Sequence, residues 1–210
     1  MVVLLEEGAL RKLPHQARST ERVISILDAA TKICLEQDLD QINTAAVANQ
    51  TNLPIGTVYQ FFENREAVIR ALVVRANYQT TQLVQNVIRE NGAFGNWLTD
   101  GAAVWDHYVE IFLQNEELVA TIRKVGHLRV YQETSQRRFA QALDTFLQHM
   151  EQVGIQPTPS RKRVALFCLH MSNYLRHMVI AEEDPEQQKF LREQIKIMMT
   201  GYLMPAMLQA

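Results

Sequence analysis

The sequence predicts an all-α protein of about nine helices: a small N-terminal group of three, a long connecting helix and a larger helical body. Three observations carry this. Apolar residues recur at three- and four-residue spacing in nearly every segment, which is the helical period. No stretch alternates as a half-buried strand would. Glycine and proline mark the places where the periods break, at "ENGAFGN", Gly126, Gly154 and "IQPTPS". Composition agrees, since 47% hydrophobic and 21% charged residues describe a folded chain, and 210 residues suffice for one domain or two modest ones. The formal net charge of -2 means that any basic footprint must be local.

Residues 1–19 form an arm ("RKLPHQARST" at its end) that is expected to be flexible and solvated. A first helix runs from about Thr20 to Gln37, where Val23, Ile26, Leu27, Ala30, Ile33, Cys34 and Leu35 mark one buried face. A short helix spans Thr44 to Thr51. Asn43 is its natural N-cap, and Ile42 with Val47 can close a hydrophobic staple across its first turn. Asn52 tolerates the left-handed conformation that a sharp turn needs, and Leu53 plugs the turn. Pro54 then pre-sets the start of a second short helix, "PIGTVYQFF". Within it Val58, Phe61 and Phe62 share the inward side by i, i+3, i+4 spacing.

Two helices across a tight turn, packed on a longer one, read as a helix-turn-helix, whose second helix would enter a DNA major groove. The residues left outside then acquire roles. Thr57 and Tyr59 offer hydroxyls to phosphate oxygens, Gln60 can pair with an adenine edge, and Ile55 can meet a thymine methyl. Gly56 permits close backbone approach. Arg65, early in the next helix, is placed for another phosphate. Thr44, Pro54, Ile55, Gly56, Thr57, Tyr59, Gln60 and Arg65 make up the expected DNA-facing set.

The run "AAVANQTNLPIGTVYQFFENREAVI" resembles the DNA-binding signature of the TetR (tetracycline-repressor-like) family of bacterial transcriptional regulators. The matching positions are Val47-Ala48, Leu53, Gly56-Thr57-Val58-Tyr59, Phe61-Phe62 and Arg65-Glu66, within about Arg22 to Leu72. Thr51-Asn52 stands where Ala-Gly is usual, Ala45 and Ala46 replace a basic and an acidic residue, and Arg65 replaces Lys. The resemblance implies a DNA-binding domain over residues 20–66 and an effector-binding and dimerisation domain over 67–210, connected by a helix from Asn64 to Glu90. It also implies a homodimeric repressor, released from a pseudo-palindromic operator on double-stranded DNA by a small-molecule effector. Residues 1–70 carry seven Lys/Arg against nine Asp/Glu, so phosphate contacts are few, with Arg11, Lys12 and Arg18 available from the arm.

Beyond "ENGAFGN", helical patterns cover roughly Asn96 to Gln114, Glu116 to Val125, His127 to Val153, Arg161 to Glu182 and Pro185 to Leu208. The last two are apolar almost all round, which predicts burial on more than one side and suggests a two-fold interface. Phe167, Met171, Leu175, Met178, Ile195, Met199 and Leu203 are the expected interface residues. Aromatic side chains with polar tips suit a small-molecule pocket, and Trp105, Tyr108, Phe112, His127, Tyr131, His170 and Tyr174 are its expected lining.

No cofactor or metal is expected, since no Cys/His cluster has ligand spacing. Neither a nucleophile–base pairing nor a phosphate loop supports the rival reading of a helical enzyme. A protein-binding adaptor is the other alternative. Cys34 and Cys168 read as buried free thiols. No membrane span or signal peptide is recognisable, and a cytoplasmic location is expected.

Overall fold

A computed structural model describes residues 4, 8–90, 94–152 and 154–209. Its helices are α1 (Ala17–Glu36), α2 (Thr44–Thr51), α3 (Ile55–Phe61), α4 (Arg65–Glu90), α5 (Phe94–Leu113), α6 (Glu116–Val125), α7 (Arg129–Gln152), α8 (Pro159–Ala181) and α9 (Pro185–Met198). The last runs through a π-helical turn, Met199–Leu203, into α10 (Met204–Gln209), and a 3-10 turn, Leu39–Gln41, precedes α2. No strand occurs among the described residues, so the all-α expectation holds. The chain divides into two compact units, Met1–Gln79 with Ala120–Ser135, and Thr80–Val119 with Gln136–Ala210.

In the first unit, α1 buries Val23, Ile26, Leu27, Ala30, Ile33 and Cys34 of the face that its spacing marks, and leaves Leu35 half-buried. The local signals around α2 resolve into hydrogen bonds. Asn43 Oδ1 accepts the Ala46 N–H at 2.8 Å, closing the N-cap. Ile42 and Val47 are fully buried on either side of it. Asn52 sits at φ 54, ψ 29, and its N–H reaches back to the carbonyls of α2. That left-handed residue ends α2 and turns the chain within a few residues. Pro54 holds the N-cap position of α3, so the helix opens at Ile55, one residue later than the sequence suggests.

Part of the N-terminal arm is packed, although Arg11, Lys12 and residues 15–18 are exposed. Leu4, Ala9 and Leu10 are buried, and the Arg11 N–H donates to Phe61 O at 2.9 Å. Arg11 Nη1 donates to Tyr59 O at 3.5 Å, and the Lys12 ammonium lies 5.8 Å from the Phe61 ring centroid. Donors and positive charge therefore collect at the C-terminal end of α3, where unpaired carbonyls favour them. The apolar arm residues "L…AL" were the missed signal.

Two further ties complete this unit. Lys124 on α6 pairs with Asp38 at 3.2 Å; the Leu39 N–H and Lys124 together hold that carboxyl below its ordinary range. Buried Asn77 on α4 donates to Thr134 Oγ1 at 2.6 Å and accepts from Ser135 Oγ at 2.7 Å, so a buried polar cross-link joins α4 to α7.

In the second unit, Trp105, Val109 and Phe112 of α5 are fully buried, and Met150 with Ala165 forms a core that Leu143, Leu147, Val164 and Cys168 pack against. Asp106 and Glu110 of α5 pair with Arg192 and Lys196 of α9, the closest pair being Lys196 to Asp106 at 2.7 Å. Thr158 and Asp184 cap α8 and α9, each followed by a proline in the first turn.

Asn52 generates a test of the turn. Replacement by Gly should leave stability unchanged or raise it, whereas Val at the left-handed position should cost about 1–2 kcal/mol. Urea unfolding midpoints of the two variants measure the difference, and equal midpoints would contradict the turn geometry.

Candidate functional site

Helix α3 has seven residues, too few to persist in water without tertiary anchoring. Val58, Phe61 and Phe62 supply that anchoring, exposed by 2% or less. Pro54, Ile55, Gly56, Tyr59 and Gln60 are exposed, and Thr57 is half-buried. Ile55 and Tyr59 expose 46% and 42% of their surface, unusual for side chains of this kind on one short helix. A Cβ placed on Gly56 would meet nothing within 4 Å. The protein's own packing therefore does not require glycine here.

Thr44 lies beneath Tyr59, largely buried, and its Oγ1 donates to the Tyr59 hydroxyl at 3.1 Å. One proton bridges the pair, which leaves the other hydroxyl proton for an outside acceptor. The arrangement fixes the phenol over the N-terminus of α2. Thr44 thus acts by placing Tyr59.

Arg65 is the marked departure within this set. Its Nε donates to Ile42 O at 2.8 Å, and Nη2 donates to Leu39 O at 3.3 Å and to Asp40 Oδ1 at 3.3 Å. Glu66 lies 3.9 Å from Nη1. The guanidinium is turned onto the turn that leads into α2, because two carbonyls and a carboxylate there match its fork of donors. Its contacts do not support the expected phosphate role.

The residues expected to line a pocket separate into three places. Trp105, Tyr108 and Phe112 follow one another along α5 in the second unit, with ring centroids 5.5 Å and 5.2 Å apart, the first pair tilted and the second edge-on. His170 and Tyr174 lie on the exposed side of α8, Tyr174 at 64%, so neither faces the interior of that unit. His127 is exposed in the turn after α6, and Tyr131 is buried in the first unit. Trp97, a further aromatic of that region, has its side chain outside the described residues.

The expected interface residues also divide. Phe167 and Met178 are exposed and Met171 is half-buried, whereas Leu175, Ile195 and Met199 are buried within the protomer itself. These last three have no surface left to give a partner. The side chain of Leu203 lies outside the described residues. Leu166, Tyr174, Phe190, Ile197 and Tyr202 are further exposed apolar residues of α8, α9 and the π turn.

Sequence reasoning missed Arg176 altogether. It is 1% exposed, its Cζ lies 4.5 Å from the centroid of Phe112, and its Nη2 donates to Asn173 Oδ1 at 2.6 Å. Nη2 also lies 3.2 Å from His177 Nε2. A guanidinium has no acceptor, so Nε2 accepts and the imidazole carries its proton on Nδ1. Burial, with the neighbouring Arg176 charge, lowers the His177 pKa to about 3. Burial raises both thiols, Cys168 to about 11, so neither is poised to react. Among the described residues no group of three or more His, Cys, Asp or Glu could hold a metal ion.

The architecture comprises a helix-turn-helix unit and a helical body. Comparison of the sequence with protein-family models and with curated proteins gives no match. Solved structures do match. A TetR-family transcriptional regulator from Streptomyces coelicolor is similar with a TM-score of 0.60 at 23% identity, over 89% of this chain and 99% of that one. The fatty acid degradation regulator FadR from Bacillus halodurans has a TM-score of 0.60 at 14% identity, over 91% and 98%. The multidrug binding protein EbrR, complexed with imidazole, has a TM-score of 0.58 at 14% identity, over 88% and 95%. The chain has the fold of the TetR-family regulators.

Two outcomes follow from the site. Arg65→Met should lower unfolding stability by about 1–3 kcal/mol, since two part-buried carbonyls lose a charged donor. Urea unfolding checks this, and an unchanged midpoint would return Arg65 to the phosphate-binding set. For His177, the unfolded state takes up a proton near 6.5 while the folded state resists until about 3. Stability should therefore fall as pH drops below 6.5, and His177→Gln should flatten that loss between pH 6.5 and 4.

Proposed function

We propose that this chain is a ligand-responsive, DNA-binding transcriptional regulator, a homodimeric repressor that a small molecule releases from a pseudo-palindromic operator. The observation that carries the reading is the outer face of α3. Ile55, Gly56, Tyr59 and Gln60 are exposed on a helix whose opposite side is fully anchored, and Gly56 opens onto space that no residue fills. A glycine with no internal reason, flanked by a half-free hydroxyl pair and an amide, suits a surface that another backbone approaches closely. The solved structures with this fold include regulators, and EbrR among them is described as complexed with a small molecule.

The dimer is supported by exposed apolar side chains on α8 and α9, among them Phe167, Tyr174, Met178, Phe190 and Ile197. Side chains of this size left in water mark an interaction surface. Two copies would present two α3 helices to successive major grooves, about 34 Å apart. The effector would shift the population toward a spacing that no longer fits. No described helix is long and apolar enough to cross a membrane, and a bacterial, cytoplasmic regulator without enzymatic activity completes the reading.

A gel shift with DNA flanking the protein's own gene tests it. A specific, salt-sensitive shift is expected, and its absence from every fragment would sink the reading. Gly56→Ala should keep or raise folding stability by up to about 1 kcal/mol while weakening the shift. Gln60→Ala should relax preference at one base position by about 1–3 kcal/mol, whereas Tyr59→Phe should weaken all sequences alike. Unchanged operator affinity in all three would refute the contact assignment.

A further inference from the structure

Arg176 is a cation in the interior of the second unit without a counter-charge. No ion pair to it occurs among the described residues, and its Nε and Nη1 have no hydrogen-bond partner. The acids of α5 that might have served, Asp106 and Glu110, pair instead with Arg192 and Lys196. Its two polar neighbours, Asn173 and His177, bring no negative charge, since the His177 imidazole is neutral in this setting. The Phe112 ring offsets part of the charge through its face. That is weak compensation for a buried guanidinium, which ordinarily has a carboxylate or phosphate.

The same stack holds another unsatisfied donor. Trp105 Nε1–H is buried with no partner, although indole N–H groups in cores usually find one. Trp105, Tyr108, Phe112 and Arg176 follow one another in contact, with separations of 5.5, 5.2 and 4.5 Å. An apolar aromatic run thus ends at a cation whose Nε and Nη1 donors are idle. One cation with no second beside it matches a monoanion better than a phosphate dianion.

We propose that Arg176 anchors the effector, and that the effector is a carboxylic acid with an aromatic or aliphatic body, its carboxylate on the Arg176 guanidinium and its apolar part against Trp105, Tyr108 and Phe112. This rests on the ligand-responsive reading above and adds the chemical class to it. The acid is held by charge-assisted hydrogen bonds to donors that water cannot reach. A neutral amide of the same skeleton leaves the charge uncompensated and binds poorly.

The test uses the full chain with decanoate and 2-naphthoate as probes, each against its neutral amide. Trp97→Phe leaves Trp105 as the single indole of the chain, which has two tryptophans. Both acids should raise the melting temperature and change Trp105 emission, and the amides should do neither. Arg176→Met should melt at the parent temperature or above without ligand, having lost an unpaired charge, and should bind the acids about tenfold or more weakly. Arg176→Lys should retain part of the acid response, and it serves if the Met variant does not fold. Should neither variant fold, the preference of the parent for acids over amides decides. Equal responses to acid and amide, no response to either acid, or an undiminished acid response in Arg176→Met would each overturn the proposal. So would dissociation of protomers in Arg176→Met, because the counter-charge would then come from a second copy. A gel shift run alongside separates the two readings. A specific shift that the acids leave untouched removes this proposal and spares the regulator, whereas acid binding without any specific shift does the reverse.

Discussion

Everything at the candidate DNA surface depends on one constraint: α3 is too short to stand by itself and must be held from one side. Val58, Phe61 and Phe62 do this with side chains that water does not reach. Because the inner side carries the packing, the outer side is released from it. The surrounding contacts converge on the same task. Asn52 sets the angle between α2 and α3, the Arg11 N–H closes the end of α3, and Arg65 braces the turn before α2 from the following helix. A helix fixed at both ends and along one side is a rigid element, and sites on rigid elements hold their geometry.

Short-range chemistry in this chain was legible from sequence. The Asn43 cap, the left-handed Asn52 and the start of the last helix at Pro185 need only neighbouring residues, and each stands as the sequence implies. Direction was legible where a helix has one apolar side, as α1 does. It was not legible on α8, which is apolar around its circumference. Period alone could not say that Leu175 faces inward while Tyr174 faces out. Long side chains were harder still. Arg65 and Arg176 look like solvent-facing cations in sequence, and their destinations are set by carbonyls and rings distant along the chain or on another helix. The arm misled for a related reason, since its docking rests on a few apolar residues and a backbone bond to Phe61.

Helix α8 gathers two of the proposed roles in a short span. Residues 174 and 176 are about 200° apart around a helix, so they look in opposite directions. Tyr174 is exposed, and Arg176 is sealed in the unit to which α5 and α9 belong. Any rotation of the helix that relieves the buried charge must also move the outer stripe. Ligand chemistry and protomer association would then be read by one rigid body, with no separate relay between them.

The first unit is discontinuous, and this bears on how such proteins are inherited and engineered. It is assembled from residues 1–79 and 120–135, so the chain leaves it and comes back. Asn77 has its partners Thr134 and Ser135 only after that return, and Lys124 reaches Asp38 in the same way. A head of this construction is not a cassette. Recombination that joins it to a different body through a single crossover would strip it of Thr121, Ile122 and Val125, which belong to its buried interior. Chimeras need three junctions, after residues 79, 119 and 135, and they need a returning segment whose apolar face still fits the head it closes.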